Sequence, residues 1–92
     1  ESPESAAEAV KLTGEAIQIL GPTSDLLDTR ALAYLADGKP KEALADLQIA
    51  IADSPSTSKY FHLALAEKAA GNLEGAKTAL TKARVEKFCH MV

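Results

Sequence analysis

The feature that most constrains the fold of this chain is an internal repeat. When the sequence is shifted against itself so that Ala31 meets Ala64, identical residues coincide at several further positions. The matched pairs are Ala31 with Ala64, Leu32 with Leu65, Ala33 with Ala66, Ala36 with Ala69, Gly38 with Gly71, Ala43 with Ala76, Leu47 with Leu80, and Ala50 with Ala83. A repeat of this kind indicates stacked supersecondary units, each of which buries a face against its neighbours.

The beginning of the chain matches half of this repeat. When Ala9 is aligned with Ala43, the pattern of Ala43, Ala50 and Ile51 is reproduced by Ala9, Ala16 and Ile17. We therefore expect the second half of one unit, followed by two complete units. Chance matching in an Ala-rich chain is the alternative, but the glycines and prolines between the helices also fall in register.

Apolar spacing and helix-end signals predict five helices and an all-α fold. The predicted helices run from Ser2 to about Leu20, from Thr23 to Gly38, from Pro40 to about Asp53, from about Ser58 to Ala70, and from Leu73 to at least Lys87. Proline at the first helical turn begins a helix, because the N–H that it lacks would have no helical partner. The composition agrees, since 47% of the residues are hydrophobic and only 4% are aromatic.

The unit from Ser24 to Pro55 resembles the tetratricopeptide repeat (TPR). It has the residues of that family's pattern at the expected spacing: large Leu27, small Ala31, aromatic Tyr34, turn Gly38, small Ala43, large Leu47, small Ala50 and closing Pro55. The second unit, from Thr57 to about Phe88, departs from the pattern at Glu67, where the first unit has Tyr34, and lacks the closing proline. The resemblance implies helix-turn-helix units stacked as a short right-handed superhelix.

This resemblance also implies a division of the chain. Residues 1–22 would be the second helix of a repeat or a capping helix, residues 24–55 and 57–88 would be complete repeats, and residues 89–92 would be a tail. Ala31 and Ala43 are predicted to lie at the helix contact inside a unit, and Ala50 at the contact with the next unit. Small side chains at these crossings let helix axes approach closely.

In the TPR family the first helix of each unit lines a concave groove, which implies a site here. Helical spacing places on that side Asp25, Asp28, Leu32, Leu35 and Ala36 from the first complete unit, and Ser58, Phe61, Leu65, Lys68 and Ala69 from the second. The resemblance therefore implies a module that binds a protein or peptide in this groove. Phe61 is the leading anchor, although a one-residue change of register would place Tyr60 there instead.

The electrostatics of this predicted groove favour a basic partner over a free carboxylate. Some TPR proteins hold the terminal carboxylate of a partner with a Lys and Asn clamp, but Asp28 and Leu32 stand at the corresponding positions here. Asp25 and Asp28 would form an acidic edge, with Lys68 at the other end. Leu32 and Leu65 have an alternative explanation, because the remainder of a longer protein could cover them.

A second functional hypothesis is a structural assembly element. The end helix from Leu73 to Val92 and the helix from Ser2 to Leu20 would then pair between chains to form a homodimer. The apolar stripe of Phe88, Cys89 and Val92 would be covered in that pairing. Since the sequence begins with Glu1 and has no signal peptide, we expect a piece of a longer protein or a processed chain.

Other classes of function are disfavoured by the residues. The net charge is −3 and no basic cluster occurs, so nucleic acid is not an expected partner. The longest stretch without a formal charge, Ala16 to Ser24, is far shorter than the roughly 20 residues of a membrane span. The single cysteine cannot form an internal disulfide, which fits a reducing compartment such as the cytoplasm.

No arrangement of reactive residues suggests catalysis. The sequence lacks a Ser/His/Asp set, paired catalytic carboxylates, a Gly-rich phosphate loop and an HExxH motif, so we expect neither an enzyme nor a cofactor or metal site. His62 is expected to be an isolated helix-face histidine, and neighbouring Cys89 and His90 point in different directions on a helix. The remaining charged side chains, Asp46 among them, are expected on solvated helix faces.

Overall fold

A computed structural model describes the backbone of residues 3–91 and the side chains of residues 5–86. Over that range the chain forms five α-helices and no strand: α1 (Pro3–Leu20), α2 (Ser24–Ala36), α3 (Pro40–Asp53), α4 (Thr57–Ala69) and α5 (Leu73–Met91). The prediction of an all-α fold is confirmed, and the helices begin and end close to the expected positions. The predictions for Ser2, Phe88, Cys89, His90, Met91 and Val92 concern side chains outside the described residues.

Local capping explains where the helices begin. The Thr23 hydroxyl accepts a hydrogen bond from the Leu26 N–H at 3.2 Å, and the Ser56 hydroxyl accepts one from the Lys59 N–H at 3.2 Å. Pro40 is the first residue of α3, as predicted. Each hydroxyl satisfies an N–H that has no partner within its helix, which fixes the first turn.

Two equivalent glycines form the turns inside the hairpins α2–α3 and α4–α5. Gly38 and Gly71 have φ angles of 74° and 85°, in the left-handed region where a side chain is disfavoured. The Lys39 N–H donates to the Tyr34 carbonyl at 2.8 Å, and the Asn72 N–H donates to the Glu67 carbonyl at 2.8 Å. Both hairpins therefore reverse direction through the same C-terminal cap.

The helices pack in chain order. Each helix lies against the next one, and α2 also contacts α4. Among the described helices, α3 thus lies between α2 and α4, whereas α1 packs only on α2 and α5 packs only on α4.

The core sits where the two hairpins meet and is made largely of alanine. One cluster contains Ala31, Ala43, Leu47 and Ala66, and Leu47 is its fully buried large side chain. The predicted contact residues Ala31 and Ala43 both lie in this cluster. Alanines at these crossings let the helices approach closely, while the partly buried Tyr34, Leu35, Leu44 and Leu63 fill the surrounding space.

None of the helices in the described part of the chain combines the length and apolar character that crossing a membrane requires. Its longest helices, α1 and α5, carry charged residues along their length.

Candidate functional site

The predicted groove residues lie on α2 and α4, which are parallel neighbours. His62 Nδ1 on α4 lies 2.8 Å from Asp28 Oδ1 on α2, and Lys59 Nζ lies 3.8 Å from Asp25 Oδ1. The two pairs have the same separation along the chain, so the two helices run side by side in the same direction. Each pair joins a residue of α2 to the residue that follows its equivalent on α4, because Asp25 is equivalent to Ser58 and Asp28 to Phe61.

Three large apolar side chains are exposed on these two helices. Leu32 on α2 is 39% exposed, and Phe61 and Leu65 on α4 are 49% and 42% exposed. Phe61 and Leu65 are one helical turn apart and therefore share a face. Leu32 and Leu65 are equivalent in the repeat, so they lie at matching positions of two adjacent parallel helices. We call Leu32, Phe61 and Leu65 the apolar face.

The two neighbouring aromatic residues of α4 point in different directions. Tyr60 is partly buried and lines a cleft of about 430 Å³ together with Gln48 and Ile51 of α3. Phe61, the next residue of the helix, points about 100° away from Tyr60 and is exposed. Tyr60 thus belongs to the packing between helices, and Phe61 is the aromatic side chain that a partner could reach.

Asp28 is less available than the sequence suggested. Its side chain is only 18% exposed and its carboxylate is bonded to His62, whose side chain is 20% exposed. His62 was expected to be isolated, yet it joins α4 to α2. The missed signal is the separation of the two residues along the chain, which exceeds the offset between α2 and α4 by one residue and makes them neighbours on adjacent parallel helices.

The other predicted site residues differ in their exposure. The Asp25 side chain is 97% exposed, and Ser58 and Lys68 are exposed as well. Leu35 is partly buried and packs against the core cluster. It therefore belongs to the packing beneath the site and not to its exposed surface. The open surface consists of the apolar face, with Asp25 near the beginning of α2 and Lys68 near the end of α4.

The interpretation of Asp46 as a solvated charge is wrong. Asp46 is 5% exposed, and its two carboxylate oxygens accept hydrogen bonds from Arg30 Nε at 2.7 Å and Nη2 at 2.8 Å. The Arg30 guanidinium also lies 5.5 Å from the centre of the Tyr34 ring. Spacing along α3 alone could not reveal a partner that lies on the preceding helix, α2.

This ion pair fixes α2 on α3. The hydrogen bonds from Arg30 to Asp46 are bidentate, the geometry in which an arginine holds a carboxylate most specifically. The hydrogen bond with Asp46 raises the pKa of Arg30, and the neighbouring charge acts in the same direction against desolvation. Arg30 therefore remains a cation and holds the side of α2 that faces α3 against Asp46.

Two further buried polar groups were missed by the sequence reasoning. Lys59 is 5% exposed, and its Nζ donates to the Ser54 carbonyl at 2.7 Å, which ties α4 to the preceding loop. The Ser24 hydroxyl donates to the Ala50 carbonyl at 2.9 Å. This bond joins α2 to the backbone of α3 at Ala50. The predicted contact of the Ala50 side chain with the next unit stays a prediction.

The described residues contain no group of three His, Cys, Asp or Glu side chains that could hold a metal ion. The geometry instead offers a rigid pair of helices with an open apolar face. In comparisons with known proteins, no protein-family model, no curated protein and no solved structure matches the chain.

Proposed function

We propose that this chain is a TPR-like, non-enzymatic protein-interaction module that binds a peptide or protein segment across α2 and α4. The observation that carries this proposal is the apolar face of Leu32, Phe61 and Leu65. The division into units at residues 24–55 and 57–88 and their stacking as a right-handed superhelix belong to the same proposal. The identical glycine turns and the parallel register of α2 and α4 support it.

Exposure of one apolar side chain is ordinary on a protein surface, so the arrangement matters more than the number. Leu32 and Leu65 occupy equivalent positions on adjacent parallel helices, and Phe61 lies one turn from Leu65. Large aromatic side chains that become buried at an interface commonly carry much of its binding energy, and Phe61 is the exposed aromatic residue of this surface. The Asp28–His62 bond and the Arg30–Asp46 pair hold the supporting helices in place, which lowers the entropy cost of binding.

The charges around the apolar face suggest the polarity of the partner. Asp25 is freely exposed at one end, whereas Lys68 is exposed at the other. Asp28 is engaged with His62, so the acidic edge is narrower than the sequence predicted. A segment with a basic residue near Asp25, apolar residues in the middle and an acidic residue near Lys68 would be complementary.

Selection of peptides from a random library on the purified chain tests this proposal. We expect the selected peptides to lose at least roughly tenfold in affinity on Phe61→Ala, as an anchor residue should. Leu73→Ala is the matched control, because Leu73 is 61% exposed but lies on α5, away from the apolar face. Circular dichroism would verify that each variant keeps its helices.

Asp28→Lys provides a second test of the same surface. It removes the acceptor of His62 and reverses the charge beside the apolar face, so basic peptides should bind more weakly. Unchanged affinity in both Phe61→Ala and Asp28→Lys would rule out binding on α2 and α4.

A further inference from the structure

The crossing of α4 and α5 is open at a place where the crossing of α2 and α3 is filled. In the hairpin α2–α3, the Arg30 guanidinium lies over the ring of Tyr34 and donates two hydrogen bonds to Asp46. In the hairpin α4–α5, the repeat places at these three positions Leu63, Glu67 and Ala79. The second hairpin therefore has a carboxylate where the first has an aromatic ring, and it lacks the guanidinium that fills the first.

The cleft beside Tyr60 occupies this open place. It has a volume of about 430 Å³ and lies among α3, α4 and α5, and the three substituted residues all line it. Gln48, Tyr60, Gly75 and Lys82 are also part of its lining. Clefts of this size that combine an apolar floor with a few polar groups are typical of small-molecule sites. All three walls belong to helices of the described chain, so the cleft is not an uncovered end of the stack.

The Glu67 carboxylate at one end of the cleft forms no ion pair with the described side chains. Glu67 is partly buried, and the hydrogen bond that it accepts from the Asn72 side-chain amide is long, at 3.5 Å. Asp46 in the first hairpin, by contrast, accepts two short bonds from Arg30. A carboxylate that has lost part of its hydration is stabilised by a cation beside it. A cation from outside the chain would thus supply at Glu67 what Arg30 supplies at Asp46.

Gly75 gives this carboxylate the room that it occupies. A Cβ at residue 75 would collide with the Glu67 carboxylate and the Asn72 amide. Gly75 lies in the first turn of α5 and is not one of the glycines with positive φ, so its backbone does not require glycine. Glycine inside a helix is unfavourable in itself. Its presence here is explained by the space that it leaves at the edge of the cleft.

The opposite end of the cleft carries hydrogen-bond donors. Tyr60 precedes Glu67 and Lys82 follows Gly75 by two helical turns, which is about 10 Å along each helix. Because α4 and α5 are antiparallel, Tyr60 and Lys82 lie at the same end. Among the described side chains, neither the Tyr60 hydroxyl nor the Lys82 ammonium has a hydrogen-bond or ion-pair partner. The apolar Leu63 lies between the two ends.

We propose that this cleft binds a small elongated zwitterion, with an ammonium or guanidinium group at one end and a carboxylate at the other. The cation pairs with Glu67, the carboxylate meets Lys82 and the Tyr60 hydroxyl, and the apolar body of the ligand lies on Leu63. Opposite charges at the two ends determine the orientation of the ligand. We call this site, which is separate from the apolar face, the zwitterion cleft.

Titration of the intact chain with 6-aminohexanoate, followed by NMR of the backbone amides, tests this proposal. We expect saturable shifts at Gly75 and Tyr60, at the two ends of the cleft, and no shift at Gly14 on α1. Hexanoate lacks the cation and should bind about tenfold more weakly, because a charged hydrogen bond at the partly buried Glu67 is lost. Hexylamine should bind about threefold more weakly, since Lys82 is exposed and its ion pair is worth less. The shorter 4-aminobutanoate should not reach both ends.

Two variants test the role of the carboxylate. Glu67→Gln keeps the size of the side chain and should weaken 6-aminohexanoate about tenfold while leaving the affinity for hexanoate unchanged, which a general loss of structure would not do. Gly75→Ala should also weaken 6-aminohexanoate, because the added Cβ displaces the Glu67 carboxylate. Glu15→Gln is the matched control, since it removes an exposed carboxylate on α1, which does not border the cleft. Circular dichroism verifies that each variant keeps its helices.

Phe61→Ala separates the zwitterion cleft from the proposed function. It should weaken the peptides selected on the apolar face and leave the affinity for 6-aminohexanoate unchanged, whereas Glu67→Gln should do the opposite. Shifts that are confined to Leu32, Phe61 and Leu65 would place the ligand on the apolar face and overturn the zwitterion cleft.

Three other results would also overturn it. They are the absence of saturable shifts at both Gly75 and Tyr60, an affinity for hexanoate equal to that for 6-aminohexanoate, and an unchanged affinity for 6-aminohexanoate in Glu67→Gln. Each would mean that the carboxylate in the cleft does not bind a cation.

Discussion

The hairpins α2–α3 and α4–α5 share their turn and their small contact residues but differ in what they bury. Leu47 in the first hairpin is 0% exposed, whereas the equivalent Leu80 in the second is 47% exposed. The residue type is the same, so the difference comes from the neighbours: α3 has a helix on each side and α5 has one. Burial in this chain is a property of position in the stack.

The polar contents of the hairpins differ as well. The first encloses the bidentate pair of Arg30 and Asp46, while the second has Leu63 and Ala79 at the same positions. Both solutions leave no buried side-chain nitrogen or oxygen of the described residues without a hydrogen-bond partner. One repeat therefore tolerates either an ion pair or an apolar pair at its centre, and the choice determines which covering helix fits.

Truncation of the two equivalent leucines should produce the largest difference in stability between the two hairpins. We expect Leu47→Ala to lower the free energy of unfolding by about 3 kcal/mol, because it removes a fully buried side chain and leaves a cavity. Leu80→Ala should cost about 1 kcal/mol, since the side chain is half exposed in the folded state. Urea denaturation of the two variants gives both values. Equal losses would contradict the conclusion that neighbours and not residue type set the burial.

Removal of one charge from the first hairpin should have the next largest effect. Asp46→Ala leaves the Arg30 guanidinium partly buried without its acceptor and should cost about 2 kcal/mol. The double variant Arg30→Leu, Asp46→Ala copies the second hairpin and should recover most of that loss. A double variant as unstable as the single one would show that the apolar pair does not fit the first hairpin.

The contribution of the Arg30–Asp46 ion pair to the free energy of unfolding should not depend on pH in the neutral range. The pKa of Arg30 is raised in the folded state by its hydrogen bond with Asp46. A group with a raised folded-state pKa contributes stability fully below its unfolded-state pKa, and the contribution is lost only as the pH rises through the folded-state value. Unfolding of Asp46→Ala at about pH 6 and about pH 9 should therefore show the same loss relative to the wild type.

Substitution of the turn glycines should affect both hairpins equally. Gly38→Ala and Gly71→Ala place a Cβ on a residue with positive φ, which costs about 1 kcal/mol in each case, although the Cβ has open space around it. Gly14→Ala is the matched control, because Gly14 lies inside α1 with open space around it and should raise stability by about 1 kcal/mol. Thermal unfolding of the three variants distinguishes turn strain from a general effect of the added methyl group.

The link between the hairpins should give the smallest effect. A double-mutant cycle of Asp28→Asn and His62→Ala is expected to yield a coupling energy of about 0.5 kcal/mol, because both side chains are near the surface. Zero coupling would mean that the contact between α2 and α4 is held by packing alone.

The sequence predicted the helices well because their ends depend on local chemistry. Thr23, Pro40 and the glycines at 38 and 71 act within a few residues of their own positions. Gly38 and Gly71, which the repeat offset pairs, also form the same turn. In each case the signal and the structure that it produces lie in the same short segment.

The site was less predictable because its contacts join distant segments. The burial of Asp46 depends on Arg30 of another helix, and the bond of His62 on α4 depends on Asp28 of α2. The direction of Phe61 required a register accurate to one residue, which the helix boundaries alone did not provide. The partner that the apolar face binds stays a prediction.

The order in which the helices pack has a kinetic consequence. Since each helix lies against its successor in the chain and α2 reaches only as far as α4, no long loop must close before native contacts form. Chains with such local topology fold rapidly, in the microsecond-to-millisecond range of helical bundles. Folding can then start at either hairpin and spread along the chain in both directions.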